Sequence, residues 1–323
     1  MARSVATRKR ITIVTPAARG SRSGNRVTAL RWAALLRQLG HLVTIATEWQ
    51  NLPTDILVTV HAVKSAQAVL AASREQPGIR VVTLLAGTDI YPQFAPGAEA
   101  MAAMARADAL IALQPRALDL LPAELLKKSR TVVQSATAAD TAKRATFTAT
   151  VIAHLRPIKQ PHIAVEAINL VPAALDVHLV LAGSRLDDDY GQRVATLVEQ
   201  SPRAEWVGDL SRRDTKRLIA SSHACIVPSS AEGGANVVSE AIAAGTPVLC
   251  TAIPGNLGLL GDDWPGAFPV GDAAALATLL ERAVTESQFL DELCRRTRQL
   301  QAMVAPETER QAWQTLLREL NGS

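Results

Sequence analysis

ACIVPSSAEGGANVVSEAIAAGTPVLC, Ala224 to Cys250, reads without interruption as strand, Gly-rich loop, helix and strand. Ala224 to Val227 are predicted as a short buried strand, and a helix is predicted over about Ala235 to Ala244. Gly245 can take the left-handed conformation that stops the helix, and Pro247 bars its continuation before a strand at Val248 to Thr251. Gly233 and Gly234 precede the helix, so its first N–H groups and the positive end of its dipole lie open to an anion such as a diphosphate. Glu232 stands just before this cradle, while Asn236 and Glu240, four residues apart, share one helix face. An ionised carboxylate only accepts hydrogen bonds, so Glu240 suits paired ribose hydroxyls and Glu232 suits sugar hydroxyls near an anomeric carbon. One glutamate alone would be an ordinary solvated charge. Two of them flanking a Gly-Gly helix start after a buried strand favour a binding role.

Working outward, a strand predicted over Phe147 to Ala153 ends in His154, Arg156 and Lys159, followed by a helix over His162 to Leu170. Fixed cations at a strand end suit a departing pyrophosphate. On the other side, Ile253 to Asn256 ends the strand, Gly258 and Gly261 keep the next stretch a permissive loop, and Asn256 is placed to reach the same ligand. Val177 to Ala182 is a further strand. Asp187, Asp188 and Asp189 read as the solvated first turn of a helix in preference to a Mg²⁺ site. Gly208 lies in a turn after a short strand at Glu205. Helices follow over Ala273 to Ala283, Glu286 to Arg298 and Pro306 to Leu320, and the last carries Trp313, Leu316 and Leu317 at helical spacing.

In the amino-terminal half, Arg10 to Pro16 is a β-branched strand, followed by a loop over Ala17 to Asn25, a helix over about Arg26 to Leu39 and a strand at Val43 to Thr47. This order argues for a right-handed parallel unit. The loop lacks G-x-G-x-x-G spacing, which gives dinucleotide binding little support. It carries Arg19 and Arg22 beside a helix start at Gly24 and Asn25. These arginines meet an anion or face solvent, and the two readings weigh evenly. A strand over Asp55 to Val60 ends at His61 and Lys64, and one over Arg80 to Ala86 ends at Thr88 and Asp89; ligands of open parallel sheets bind outside such ends. Strands at Ala109 to Leu113 and Arg130 to Val133, with a helix over Ala117 to Lys127 between them, end at Gln114 and Gln134.

At 323 residues and 48% hydrophobic, the chain is long enough for two cores. Only 3% is aromatic, so packing rests on Ala, Val, Leu and Ile, as in helices layered on both sides of parallel sheets. The net charge of +4 equals the contribution of Arg3, Arg8, Lys9 and Arg10, which read as a solvated tail and not as a nucleic-acid surface. Cys225, Cys250 and Cys294 form no C-x-x-C pair and point to a reducing cytoplasm. No apolar run is long enough to span a bilayer, so no stable membrane insertion is expected. The expected division is residues 1–140, an acceptor domain; residues 141–304, a nucleotide-binding domain; and residues 305–323, a helix returning to the first. The linker is placed in the Ala/Thr-rich stretch Ala136 to Thr148.

Glu232 and Glu240, with seven residues between them and Ala-Ile-Ala-Ala-Gly-Thr-Pro-Val following, resemble the E-x7-E signature of retaining glycosyltransferases built from two Rossmann domains. Glu-Gly-Gly-Ala-Asn-Val-Val-Ser-Glu, together with the stretches Ile253 to Gly261 and Phe268 to Asp272, is similar to the selenosugar synthases of selenoneine biosynthesis. The resemblance implies an α/β chain of two Rossmann-like domains facing across a cleft, the GT-B architecture. It implies transfer of a hexosamine from a UDP-sugar, UDP-N-acetylglucosamine favoured, to selenophosphate, forming a C–Se bond and releasing UDP, with later loss of phosphate. Lys159 falls on the family's phosphate-binding Lys; His154 stands where an Arg is usual, with Arg156 two residues on. The implied catalytic set is Arg156, Lys159, Glu232 and His61. Donor binding falls to Gly233, Gly234, Ala235, Asn236, Glu240, Asn256 and Gly208, and acceptor binding to Arg19, Arg22, Gly24, Asn25, Lys64, Thr88 and Asp89. No cofactor and no metal are expected beside the two substrates. An anionic acceptor needs cations more than a base; Asp89, the one nearby base, keeps a conventional O-glycosyltransferase open. A catalytically silent UDP-sugar binder is the other alternative, and an epimerase or phosphorylase a more distant one.

Overall fold

Short runs, most of them rich in β-branched residues and leucine, are separated by helices and form twelve strands among the described residues, all parallel to their neighbours, in two sheets. The computed structural model describes residues 8–21, 23–91 and 95–322; Arg22 lies outside them. Two compact units result, one of Met1–Gln134 with Glu309–Ser323, the other of Ser135–Thr308.

In the first unit the strands are β1 (Arg10–Val14), β2 (Leu42–Ala46), β3 (Ile56–Val60), β4 (Arg80–Leu84), β5 (Ala109–Ala112) and β6 (Ser129–Thr131). Their order is β2-β1-β3-β4-β5-β6. Alternate residues serve opposite faces. Ile56, Val58 and Val60 join a core with the helix Gly24–Gln38, while Leu57 and Val81 join another with the helices Ala66–Glu75 and Ala98–Arg106. The final helix, Pro306–Gly322, contributes Trp313, Leu316, Leu317 and Leu320 to the first of these cores. Trp313 meets Trp32 edge-on at 4.9 Å between ring centroids, and the Trp32 indole N–H donates to Glu309 at 2.9 Å.

The second unit holds β7 (Phe147–Ile152), β8 (Val177–Ala182), β9 (Ala204–Trp206), β10 (Ala224–Val227), β11 (Val248–Thr251) and β12 (Ala267–Phe268), in the order β12-β11-β10-β7-β8-β9. The helix Pro161–Leu170 packs on the helix Ala273–Thr285. Asp187 caps the helix Asp188–Glu199, its carboxylate accepting from the Tyr190 N–H at 2.9 Å. Asp187→Ala is therefore expected to cost about 1 kcal/mol, read as a lowered denaturation midpoint.

Strand order locates the sites. In each sheet the direction of strand addition reverses once, between β1 and β3 and between β7 and β10. Loops leaving neighbouring strands at such a point run to opposite faces, which opens a crevice at the carboxyl ends.

Two sequence expectations are corrected. The stretch after β11, expected as a loop, is the helix Pro254–Leu260; Pro254 occupies its first turn, and Gly255 packs against the backbone of Glu232. The expected helix over Ala117 to Lys127 is instead a 3₁₀ turn, Pro115–Leu120, and a separate turn of helix, Ala123–Leu126. Pro122, extended at ψ 150°, separates them.

Candidate active site

At the β7–β10 switch point the two outgoing loops are tied together. Ser230 donates both its N–H (2.9 Å) and its hydroxyl (3.2 Å) to the Ile158 carbonyl. Next to this tie, Lys159 Nζ stands 2.5 Å from Glu232 Oε1, which also accepts the Ser229 hydroxyl at 2.7 Å. The Glu232 side chain is 10% exposed and that of Lys159 is 29% exposed, so the pair lies at the mouth of the crevice with its charges only partly screened. Behind Glu232, the Thr251 hydroxyl donates to the Ser229 carbonyl at 2.6 Å, and Asn256 Nδ2 donates to the Thr251 carbonyl and hydroxyl at 3.1 Å each. One line of contacts thus runs from the helix Pro254–Leu260 through β11 to Lys159.

Glu232 leads into Gly233, Gly234 at φ 131° and Ala235, which precedes the helix Asn236–Ala244. No side chain caps this helix and no acidic residue occupies its first turn, leaving its amino end suited to an anion. Asn236 and Glu240 are both half-buried on it. Gly245 ends it at φ 66°. Arg156 is exposed on the β7 loop, and His154 Nδ1 accepts from the Ser184 N–H at 3.1 Å, tying that loop to the one after β8. Gly208, at φ 71°, uses its carbonyl to accept from the Gly183 N–H at 2.7 Å. Asn256 departs from expectation. It is wholly buried and braces Thr251, because the residues around it form a helix and not an open loop. Burial pushes the Cys225 thiol up to about 12, with Glu240 adding to the shift, so this cysteine behaves as a small hydrophobe.

At the β1–β3 switch point Gly24 and Asn25 form the first turn of the helix Gly24–Gln38, which starts two residues earlier than expected. Ser23 occupies its N-cap without a side-chain cap, and its first turn also lacks acids. Arg19 and Lys64 are exposed. His61 follows β3 at φ 79°, buried, with Nδ1 2.7 Å from Asp89 Oδ1 and Nε2 3.0 Å from Thr88 Oγ1. Asp89 departs from expectation as well: at 3% exposure it bonds to protein, while Thr88 is exposed. A Cβ at φ 79° is strained, so His61→Ala is expected to be less stable than His61→Gly by up to about 1 kcal/mol, although both lose the ring. Denaturation midpoints compare them, and the reverse order would mean that the strain is absorbed elsewhere.

A model of the family described as glycosyl transferases group 1 matches residues 137–300, half of the chain and all of the second switch point. The chain belongs to this family. The lipopolysaccharide core biosynthesis glycosyltransferase LpsE of Rhizobium meliloti (strain 1021) is 29% identical over 136 residues, covering 42% of this chain and 38% of that relative. Two solved structures share the fold over nearly the whole chain. The sucrose-phosphate synthase of Thermosynechococcus elongatus has a TM-score of 0.80 at 18% identity, covering 98% of this chain and 100% of its own. HepE of Anabaena, crystallised with UDP and glucose, has a TM-score of 0.74 at 16% identity, covering 96% and 100%. The fold is accordingly that of the GT-B glycosyltransferases, two six-stranded parallel α/β sheets.

Sequence reasoning missed Ser229, Ser230 and Thr251, whose hydroxyls build the support under Glu232. Their only sequence mark is a position at the end of a predicted strand or just after it, which small polar residues share with many strand ends and turns. Among the described residues, no three His, Cys, Asp or Glu side chains are grouped as metal ligands are, and no helix is long and apolar enough to cross a membrane.

Proposed function

We propose that this group 1 glycosyltransferase transfers a hexosamine from a UDP-sugar, UDP-N-acetylglucosamine favoured, to selenophosphate, forming a C–Se bond and releasing UDP. The observation that carries the donor half of the reading is the Lys159–Glu232 pair beside an uncapped, acid-free helix start. A diphosphate takes the helix N–H groups and Lys159, Glu232 takes sugar hydroxyls, and Glu240 takes the ribose. Arg156 and Lys159 then offset the charge that collects on UDP as the anomeric C–O bond breaks. HepE, of the same fold, holds UDP and glucose, which supports a UDP-sugar as donor. The acceptor half rests on the similarity to selenosugar synthases and on cations at the other switch point, Arg19 and Lys64, with the uncapped helix start at Gly24 and Asn25. Asn256 supports the donor loop from behind without touching the ligand.

The test is UDP release from UDP-N-acetylglucosamine with selenophosphate, thiophosphate, phosphate or no acceptor, followed by mass analysis. Release confined to selenophosphate, with a selenium-containing hexosamine as product, is expected, and it should persist in chelator because two cations and the helix start serve the leaving group. Loss in chelator, restored by Mg²⁺, would overturn the metal-free reading. A hydroxyl acceptor is the second reading, and the observation that favours it is the contact between His61 and Asp89.

A further inference from the structure

Asp89 has no capacity left for a substrate. Its Oδ2 accepts the N–H groups of Ala62 at 2.8 Å and Ala86 at 2.7 Å, and its Oδ1 accepts the Val63 N–H at 3.0 Å and lies 2.7 Å from His61 Nδ1. A carboxylate offers about four acceptor sites; amides take three, and the His61 ring nitrogen faces the fourth. The four contacts also explain the backbone. By drawing in the two amides that follow His61, Asp89 holds that residue at φ 79°, a conformation that persists in a non-glycine residue only where its surroundings impose it.

His61 Nδ1 has two neighbours, Asp89 Oδ1 at 2.7 Å and the Lys64 N–H at 3.4 Å. An ionised carboxylate has no proton to give, so the shorter contact is attractive only if Nδ1 carries the hydrogen. The longer one lies at the edge of hydrogen-bond reach and yields to it. With Nδ1 protonated, the neutral ring leaves Nε2 bare, and the hydroxyl of the exposed Thr88 donates to it at 3.0 Å.

We infer that Asp89 is a positioning residue that locks His61 in the Nδ1–H tautomer, making Nε2 the proton acceptor of the β1–β3 switch point, masked in the resting protein by Thr88. The inference rests on the reading that the first unit takes the acceptor. It adds a requirement to that reading: the acceptor arrives with an ionisable proton, as a hydroxyl compound or as protonated selenophosphate. The acceptor displaces the Thr88 hydroxyl, and its proton passes to Nε2. Its nucleophilic atom bonds to the anomeric carbon, and the bond from that carbon to the diphosphate oxygen breaks with the electron pair on UDP. Asp89 orients the ring and faces the imidazolium that forms, the role an aspartate plays in a Ser-His-Asp triad.

The experiment is ¹⁵N NMR of the histidine rings in the full chain, with the His61 signals assigned from their loss in His61→Gly, alongside kinetics of Asp89→Asn. In the unsubstituted protein His61 Nδ1 is expected to be protonated and Nε2 bare. Asp89→Asn should shift the ring toward Nε2–H and lower kcat by roughly 10²-fold or more, with KM for UDP-N-acetylglucosamine little changed. A bare Nδ1 in the unsubstituted protein, or kcat within about twofold in Asp89→Asn, overturns the inference. Should Asp89→Asn fail to fold, Thr88→Val replaces it: Nε2 is expected to shift while Nδ1 stays protonated, and an unmoved Nε2 overturns the masked-acceptor geometry. Selenophosphate and N-acetylglucosamine as separate acceptors distinguish the two proton sources. If neither turns over, the proposed transfer fails, while the tautomer still decides the role of Asp89.

Discussion

Lys159→Met is expected to lower the rate of UDP release by roughly 10²- to 10³-fold while weakening donor binding much less. The asymmetry follows from where charge develops. In the proposed donor complex the diphosphate charge would be shared along the uncapped helix start and the exposed Arg156. As the anomeric bond breaks, new charge collects on the leaving oxygen, and only a group fixed near that oxygen responds to it. Lys159 is fixed by the 2.5 Å contact to Glu232 and by the Ser230–Ile158 tie behind it. Methionine keeps the length and apolar stem of lysine, so packing is nearly conserved and the loss reports the charge. Glu232→Gln is expected to act through the same contact, and the double variant should fall short of the sum of the singles, as residues in direct contact do. Steady-state kinetics with titration of UDP-N-acetylglucosamine measure both parameters. A Lys159→Met enzyme within about twofold of the unsubstituted rate would reduce the pair to a structural tie.

Gly255→Ala is expected to lose about 1–3 kcal/mol or more of stability, and to weaken UDP binding at least about tenfold, from a residue packed behind the Glu232 loop. A Cβ at Gly255 would lie 1.9 Å from the Glu232 carbonyl oxygen and 2.6 Å from its carbonyl carbon. Both are backbone atoms, so no side chain can swing aside, and either the helix Pro254–Leu260 or the Glu232 loop must shift. A shift of the loop carries Glu232 away from Lys159 and Ser229, and with it the approach to Gly233 and Gly234. Gly78→Ala is the control, since nothing lies within 4 Å of its Cβ position. Thermal denaturation and calorimetric titration with UDP are the measurements. Unchanged values for Gly255→Ala would show that the loop accommodates a methyl group and that Asn256 and Thr251 do not brace it.

The stretch from Ala224 to Cys250 carried its local structure in its own residues. The short apolar runs, the Gly-Gly pair, the stop at Gly245 and the block at Pro247 act over a few residues, and the strand, helix and strand form where they dictate. A chain rich in Ala, Val, Leu and Ile and poor in aromatics likewise pointed to parallel sheets covered on both faces, and Trp313, Leu316 and Leu317 to a helix with a buried stripe. The stretch after β11 went the other way. Two glycines in Pro254–Leu260 argue for a loop on propensity alone, yet it is helical because Gly255 meets the Glu232 backbone at a distance no other residue fits.

Which strand ends meet was not written in any one segment. Strand order is settled by packing the strands of each sheet together, and the placement of Lys159 beside Glu232, 73 residues apart in the chain, follows from β10 lying next to β7. The support from Ser229, Thr251 and Asn256 depends on the same neighbours. So does the character of Asp89. From its sequence position it was an acid at a strand end, open to a ligand; the fold surrounds it with three amides and an imidazole, and a carboxylate buried among donors serves its neighbours and not the solvent. Sequence by itself determined the elements and the residue types at their ends, because those depend on contacts a few residues apart. Tertiary structure alone decided which of those residues share a site and which stand behind it, because that depends on contacts between segments far apart in the chain.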